Sequence, residues 1–319
     1  MSAGWVAGSA RGRLLARRRL GVAGARAVAS SGSTEAAVAL LAESHYGRNA
    51  RAGMSAEAAR RAVGSVCLWH LRVLAGWLPP RGGEVVRVFA GRFELVNIAD
   101  RLAALAGEQV REPYSLGSLG VAWTRVAVAP TAQEVRAALA GSAWGDPGTA
   151  SWPAAAVALD ARWANWLAEA VPAGAAWAAG AAALVAARQL GARQVGAGQA
   201  PSPAAVASLR RQLGRSWETA WETAWETAPD LVGLALRLPR AAAWVLDGVE
   251  RPEDLWRAEG RWWQRVDRDA AATLRAGRPG PAVVAAAAAR LVADAWRAQA
   301  ALEAAAWGRG GVEAFDAVA

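Results

Sequence analysis

The chain has 319 residues, 54% of them hydrophobic with only three Phe and two Tyr, and it is long enough to bury a sizeable core. Its 36 basic residues are all Arg and outnumber 27 acids, giving a net charge of +9 that would attract acidic protein, phospholipid or nucleic acid without choosing among them. A single Cys excludes an internal disulfide, and with two His it leaves no zinc site of ordinary ligands unless carboxylates complete it.

Arg11, Arg13, Arg17, Arg18, Arg19 and Arg26 all precede the first acid, Glu35, and Leu14, Leu15, Leu20 and Val22 sit among them. Residues 1–29 therefore read as one basic helix. Ser30–Thr34 breaks it, and Ser33 or Thr34 can cap the next helix with Glu35 in its first turn. That helix uses Val38, Leu41 and Tyr46 as its apolar edge and stops at Gly47. Ser55 opens another, which carries Val63, Val66, Cys67, Trp69, His70 and Leu74 before Pro79-Pro80-Arg81-Gly82-Gly83 ends it. His70 reads as a core histidine of that stripe. Cys67 and His70 stand three residues apart without the electropositive, accessible setting that a thiolate nucleophile needs.

The longest uninterrupted helical pattern runs from Glu84 to Gly107. Val85, Phe89, Phe93, Val96 and Leu102 recur at three- and four-residue steps, Val86 and Val88 widen the stripe, and Gly107 can end the helix. Asn97 lies close to this apolar face. A buried amide must find hydrogen-bond partners, so Asn97 is expected to fix how neighbouring helices sit.

Beyond this helix the chain echoes itself. Ser33–Gly47 aligns without gaps on Thr131–Gly145, matching Ala39 with Ala137, Leu41 with Leu139, Ser44 with Ser142 and Gly47 with Gly145, while Tyr46 faces Trp144. Each copy begins at a capping residue and ends at an aromatic-glycine stop, which points to repeated units of roughly a hundred residues. Gly145–Gly148 reads as a turn; it lacks the Lys and flanking elements of a phosphate-binding loop. From Ser151 a long Ala/Trp helix pair runs to about Gln199, broken near Pro172 and Gly191. Its uncharged part, Ala170–Ala187, is mostly Ala with Pro172, Gly174 and Gly180, and suits close helix packing better than a membrane span. Gly196–Pro203 is a loop. Trp-Glu-Thr-Ala then occurs three times in succession, placing Trp217, Trp221 and Trp225 on one helical stripe. This stripe is either an aromatic surface for a partner helix or a repeat expansion on a solvated or core-facing helix. Three further helices are expected at Leu231–Leu246, Glu253–Leu274 and Val283–Trp307. The class is all-α.

Phe93-x-x-x-Asn97-Ile98, with Arg87 and Phe89 one turn earlier, resembles the central helix of the C-subunit family of V/A-type rotary ATPases, which includes the eukaryotic d-subunit. Leu40–Gly47 resembles that family's N-terminal helix with its Tyr-Gly end, and His70–Pro79 stands where the family has a short helix. The likeness is of pattern and order over most of the chain, strongest from Arg11 to Gly148, and it departs from the family around Leu184–Val195, where no second Phe-x-x-x-Asn occurs. Because it starts within the Arg-rich segment, that segment is expected to be mature protein and not a presequence.

The resemblance implies three similar helical bundles forming a funnel, here 1–110, 111–215 and 216–319. It implies a non-catalytic central-stalk subunit, peripheral on the cytoplasmic face of the membrane, that sits on the membrane rotor ring and receives the end of the central shaft. No cofactor or metal is implied. Tyr46, Gly47, Phe93 and Asn97 would be structural, while Arg17, Arg18, Arg19, Trp217, Trp221 and Trp225 are the candidates for partner contacts. The competing reading is a basic Trp/Arg-rich nucleic-acid-binding or helical scaffold protein, with phosphate contacts from Arg11–Arg26 and Trp stacking. Against it, the Trp residues fall at helical core spacings instead of alternating with the Arg residues.

Overall fold

The structure is a computed structural model that describes residues 2–194, 202–214 and 231–318. Every regular element among the described residues is an α-helix or a 3₁₀ turn, so the chain is all-α, as its helical periodicity requires. The α-helices are α1 Ala3–Arg17, α2 Gly21–Ala29, α3 Thr34–Glu43, α4 Ala56–Ala75, α5 Gly82–Leu105, α6 Trp123–Val126, α7 Ala132–Ala140, α8 Trp152–Ala170, α9 Ala175–Gln194 and α10 Pro203–Leu213. After the undescribed stretch come α11 Leu231–Arg237, α12 Arg240–Ala243, α13 Leu255–Ala276, α14 Pro281–Ala306 and α15 Arg309–Asp316. None of these helices is long and apolar enough to cross a membrane.

The chain forms two compact units. The first comprises Met1–Ala90, Tyr114–Leu119 and Trp263–Ala319; the second comprises Gly91–Pro113 and Gly120–Trp262. This division differs from three consecutive segments with boundaries at 110 and 215. The physical reason lies in α14, which is apolar nearly all round, with Val283–Ala289 buried without interruption. Such a helix must be enclosed on every side, and it is enclosed by α1, α2, α3, α4 and the short α15. Small side chains let the helices approach closely: a Cβ on Gly12 of α1 would lie 2.9 Å from the Ala287 Cβ.

Residues 1–29 form two helices where one was expected. The chain turns at Gly21, whose φ of 72° is in the region that favours glycine. The caps of the following helices are those read from the sequence. Ser33 Oγ accepts from Ala36 N, Ser55 Oγ from Ala58 N and Thr131 Oγ1 from Glu134 N. Gly107, at φ 93°, closes α5: its own N–H donates to Ala104 O and that of Glu108 to Ala103 O, the paired bonds of a left-handed helix stop.

In the second unit α8, α9 and α10 pack together, with α12 against α9. Asn165 of α8 donates to Ser208 O and accepts from Gln212 Nε2, both on α10, which satisfies a buried amide from one neighbouring helix. The break expected at Pro172 is present as a 3₁₀ turn, Pro172–Gly174. None occurs at Gly191, which lies inside α9; there the missing side chain makes room for Pro252, whose Cβ is 3.1 Å from where a Gly191 Cβ would stand. The helix expected over Leu231–Leu246 is divided by Pro239, which cannot continue α11 and starts α12 in its place.

Val96, counted in the apolar stripe of α5, is 42% exposed. Glu94 and Asn97 are fully buried in its stead. Val96 sits about 200° round the helix from Glu94 at 3.6 residues per turn, so a stripe that buries Glu94 turns Val96 outward.

Candidate functional site

Among the described residues each unit buries one carboxylate. In the first, Asp294 on α14 is 2% exposed. It accepts from the backbone N–H groups of Leu20 (3.0 Å) and Gly21 (2.8 Å), where α2 begins, and from the Tyr46 hydroxyl (2.9 Å). The helix N-terminus and the carboxylate attract one another through the exposed amide dipoles. Burial, together with Asp294, holds the Tyr46 phenol well above its ordinary range, so the hydroxyl remains a donor.

Tyr46 is aimed by a serine turn. Ser44 Oγ donates to Leu41 O (2.7 Å) and accepts from Tyr46 N (3.1 Å), while Gly47 N donates to Ser44 O. A Cβ on Gly47 would stand 2.0 Å from the Ala42 carbonyl oxygen. Only glycine fits this approach.

The second unit repeats the device. Glu94 on α5 is fully buried, and its Oε1 accepts from the N–H groups of Val121 (2.9 Å), Ala122 (2.7 Å) and Trp123 (2.7 Å) at the start of α6. Its Oε2 accepts from Trp144 Nε1 at 3.1 Å. Trp144 is set by the same turn: Ser142 Oγ donates to Leu139 O at 2.7 Å and accepts from Trp144 N at 3.1 Å. The Trp144 ring then meets Trp166 edge-on at 5.5 Å. Both rings close over Gly91, where a Cβ would lie 3.0 Å from Trp166 and 3.3 Å from Trp144.

The echo in the sequence is thus a repeated structure, and it extends further than the aligned segments. Leu20-Gly21-Val22-Ala23 and Leu119-Gly120-Val121-Ala122 are the same four residues in the same order, although the carboxylate takes the N–H groups of the first two in one unit and of the last two, with Trp123, in the other. Three residues after each carboxylate stands another buried polar side chain, Asn97 after Glu94 and Arg297 after Asp294.

Of the residues singled out from the sequence, Tyr46 and Gly47 form the aromatic-glycine turn of the first unit, while Phe93 and Asn97 flank Glu94 in the second and are buried. Glu94 and Asp294 themselves were missed. The signal was an acid inside an apolar run: Phe93-Glu94-Leu95 and Ala293-Asp294-Ala295. Arg17 and Arg18 are exposed, but Arg19 is engaged within the first unit. Its Nε donates to Ala16 O at 2.8 Å, and its Nη1 lies 3.5 Å from Asp267, which also holds Arg290 at 2.7 Å. Trp217, Trp221 and Trp225 lie outside the described residues. Among the described residues no three His, Cys, Asp or Glu side chains group to hold a metal ion.

Cys67 is buried, and burial pushes its thiol up, away from the thiolate form. Burial lowers His70 to about 4, helped by His45, Arg48, Arg11 and Arg18, and burial also lowers His45 against the opposing pull of Asp294. Both imidazoles bind a proton less readily in the folded chain than in the unfolded one. As pH falls below the ordinary histidine value of about 6.5, the unfolded chain takes up protons that the folded chain refuses, and stability is lost toward pH 4. The melting temperature in phosphate-free buffer should therefore drop between pH 7 and pH 5, and His70→Asn should flatten that slope. An equally steep slope in the variant would exclude His70 as its source.

No protein-family model matches the chain, and a search of curated proteins finds no match to it.

Proposed function

We propose that the chain is a non-catalytic central-stalk subunit of a rotary V/A-type ATPase, passing torque between the shaft of the ATP-hydrolysing head and the ion-carrying ring. It would act as a peripheral protein on the cytoplasmic face of the membrane. The observation that supports this reading most is the placement of the residues on which the resemblance to the C-subunit family rests. Tyr46, aimed by the turn that ends at Gly47, donates to the buried Asp294, and Phe93 and Asn97 are buried on the same helix as the buried Glu94. A part that transmits torque must resist deformation. Charge-assisted bonds from several elements to one buried carboxylate, with helices in contact through Ala and Gly, suit that demand. Three bundles arranged as a funnel belong to the same proposal.

The test is assembly. The purified chain should bind a shaft subunit of such an ATPase or co-purify with its membrane ring, and Arg17→Gln with Arg18→Gln should weaken that association while leaving helical content intact. Its binding to generic DNA or RNA should be weak and should fall steeply with salt, as counterion release requires. Tight, salt-resistant nucleic-acid binding with no association to any ATPase subunit would replace this reading with the competing one.

A further inference from the structure

A second cluster in the first unit gathers basic side chains from three elements. Arg11 lies on α1 and Arg18 at its C-terminal end, His45 and Arg48 come from the 3₁₀ turn His45–Arg48, and His70 comes from α4. The His45 and His70 rings stack with centroids 6.0 Å apart. The Arg48 guanidinium lies over the Trp69 ring at 3.9 Å, and Trp69 tilts against His70 at 5.0 Å. Arg11, Arg18, Arg48 and His45 all act on His70 in one sense, against its protonation.

Asp294 of α14 is 3.9 Å from His45 Nε2, but its oxygens already serve Leu20, Gly21 and Tyr46. Its single negative charge offsets one of the three guanidinium charges of Arg11, Arg18 and Arg48, so the cluster keeps a net positive charge. The Arg11 Nε–H is buried and makes no hydrogen bond among the described residues. Arg18 and Arg48 are exposed, so the cluster opens to solvent on one side.

A buried N–H without an acceptor costs about 1–3 kcal/mol, and converging like charges add to that cost. One anion relieves both. A phosphoryl group suits the arrangement best: it has several acceptor oxygens and up to two negative charges, and guanidinium forks bind it in paired bonds. We propose that Arg11, Arg18 and Arg48, with His70 behind them, form a binding site for a phosphoryl anion, supplied as a free phosphate or diphosphate or as a phosphorylated lipid headgroup. This site is independent of the ATPase reading.

The chain has two His residues, so their ring-proton NMR signals report the site directly. In low-salt buffer, inorganic diphosphate should bind saturably by calorimetry and move the His70 titration midpoint upward by about one unit or more. Arg11→Gln and Arg48→Gln should each weaken binding about tenfold and abolish the midpoint shift, with circular dichroism unchanged. Arg237→Gln in the second unit removes the same charge elsewhere and should leave binding intact. A parallel titration with vesicles of phosphatidylcholine, with and without phosphatidylinositol phosphate, separates the sources. A response to diphosphate assigns a soluble anion, and a response to the phosphorylated vesicles alone assigns a headgroup; either supports the site. No saturable binding of wild-type protein to either probe at millimolar phosphoryl concentration would overturn it, as would an equal loss in Arg237→Gln.

Discussion

Glu94→Leu and Asp294→Leu should each destabilise the protein by more than about 3 kcal/mol, because three or four donors lose their acceptor at about 1–3 kcal/mol for each one left buried and unsatisfied. In the first variant the N–H groups of Val121, Ala122 and Trp123 and the Trp144 indole lose their shared acceptor; in the second, Leu20, Gly21 and Tyr46 lose theirs. Glu94→Gln keeps the shape and one acceptor oxygen, so its cost should be nearer 1–3 kcal/mol. Amide hydrogen exchange locates the damage. Protection at Val121–Trp123 should fall in Glu94→Leu, and protection at Leu20–Gly21 in Asp294→Leu. A loss below about 1 kcal/mol in both Leu variants would show that the carboxylates are accommodated without organising the units.

The second large effect is expected at Gly47. Its substitution to Ala forces a methyl toward a backbone oxygen only 2.0 Å from the Cβ position, and a backbone carbonyl cannot swing aside as a flexible side chain can. The cost should reach about 3 kcal/mol, the upper end for overpacking, because yielding also pulls Tyr46 off Asp294. Gly83 provides the contrast. It lies in the first turn of α5 with nothing within 4 Å of its Cβ position, and Gly83→Ala should stabilise by about 0.4–1 kcal/mol through reduced freedom of the unfolded chain. Chemical denaturation of the two variants side by side checks both signs. Equal stabilities would mean that the turn shifts without penalty.

Local rules made much of the helical frame readable. Ser33, Ser55 and Thr131 cap where they were expected to, Gly107 ends α5, and Pro172 interrupts the Ala-rich pair, because each of these acts on neighbours within a few residues. The failures involve contacts distant in sequence. Gly21 alone is weak notice of the break after Arg17, since the acceptor that satisfies the next helix start is Asp294, on the far side of the sequence. Gly191 reads as a breaker until Pro252 is seen to need its space. The missed break at Pro239 is different, because the proline itself was sufficient notice. For the candidate site, the aromatic-glycine turns were legible through the echo of Ser33–Gly47 in Thr131–Gly145. The carboxylates they point to were not, because an isolated acid in an apolar run shows no partner until the fold supplies one.

The order in which the first unit is assembled has a consequence for synthesis. Its core helix, α14, starts at Pro281, whereas the helices that enclose it begin at Ala3. A ribosome adding 5–20 residues per second needs roughly 10–40 s to make the intervening two hundred or so residues beyond Ala90. Throughout that interval α1–α4 exist without the helix that they enclose. The nascent chain therefore presents an uncovered apolar face for tens of seconds, a natural target for chaperone capture, and the unit cannot close until α14 has been made.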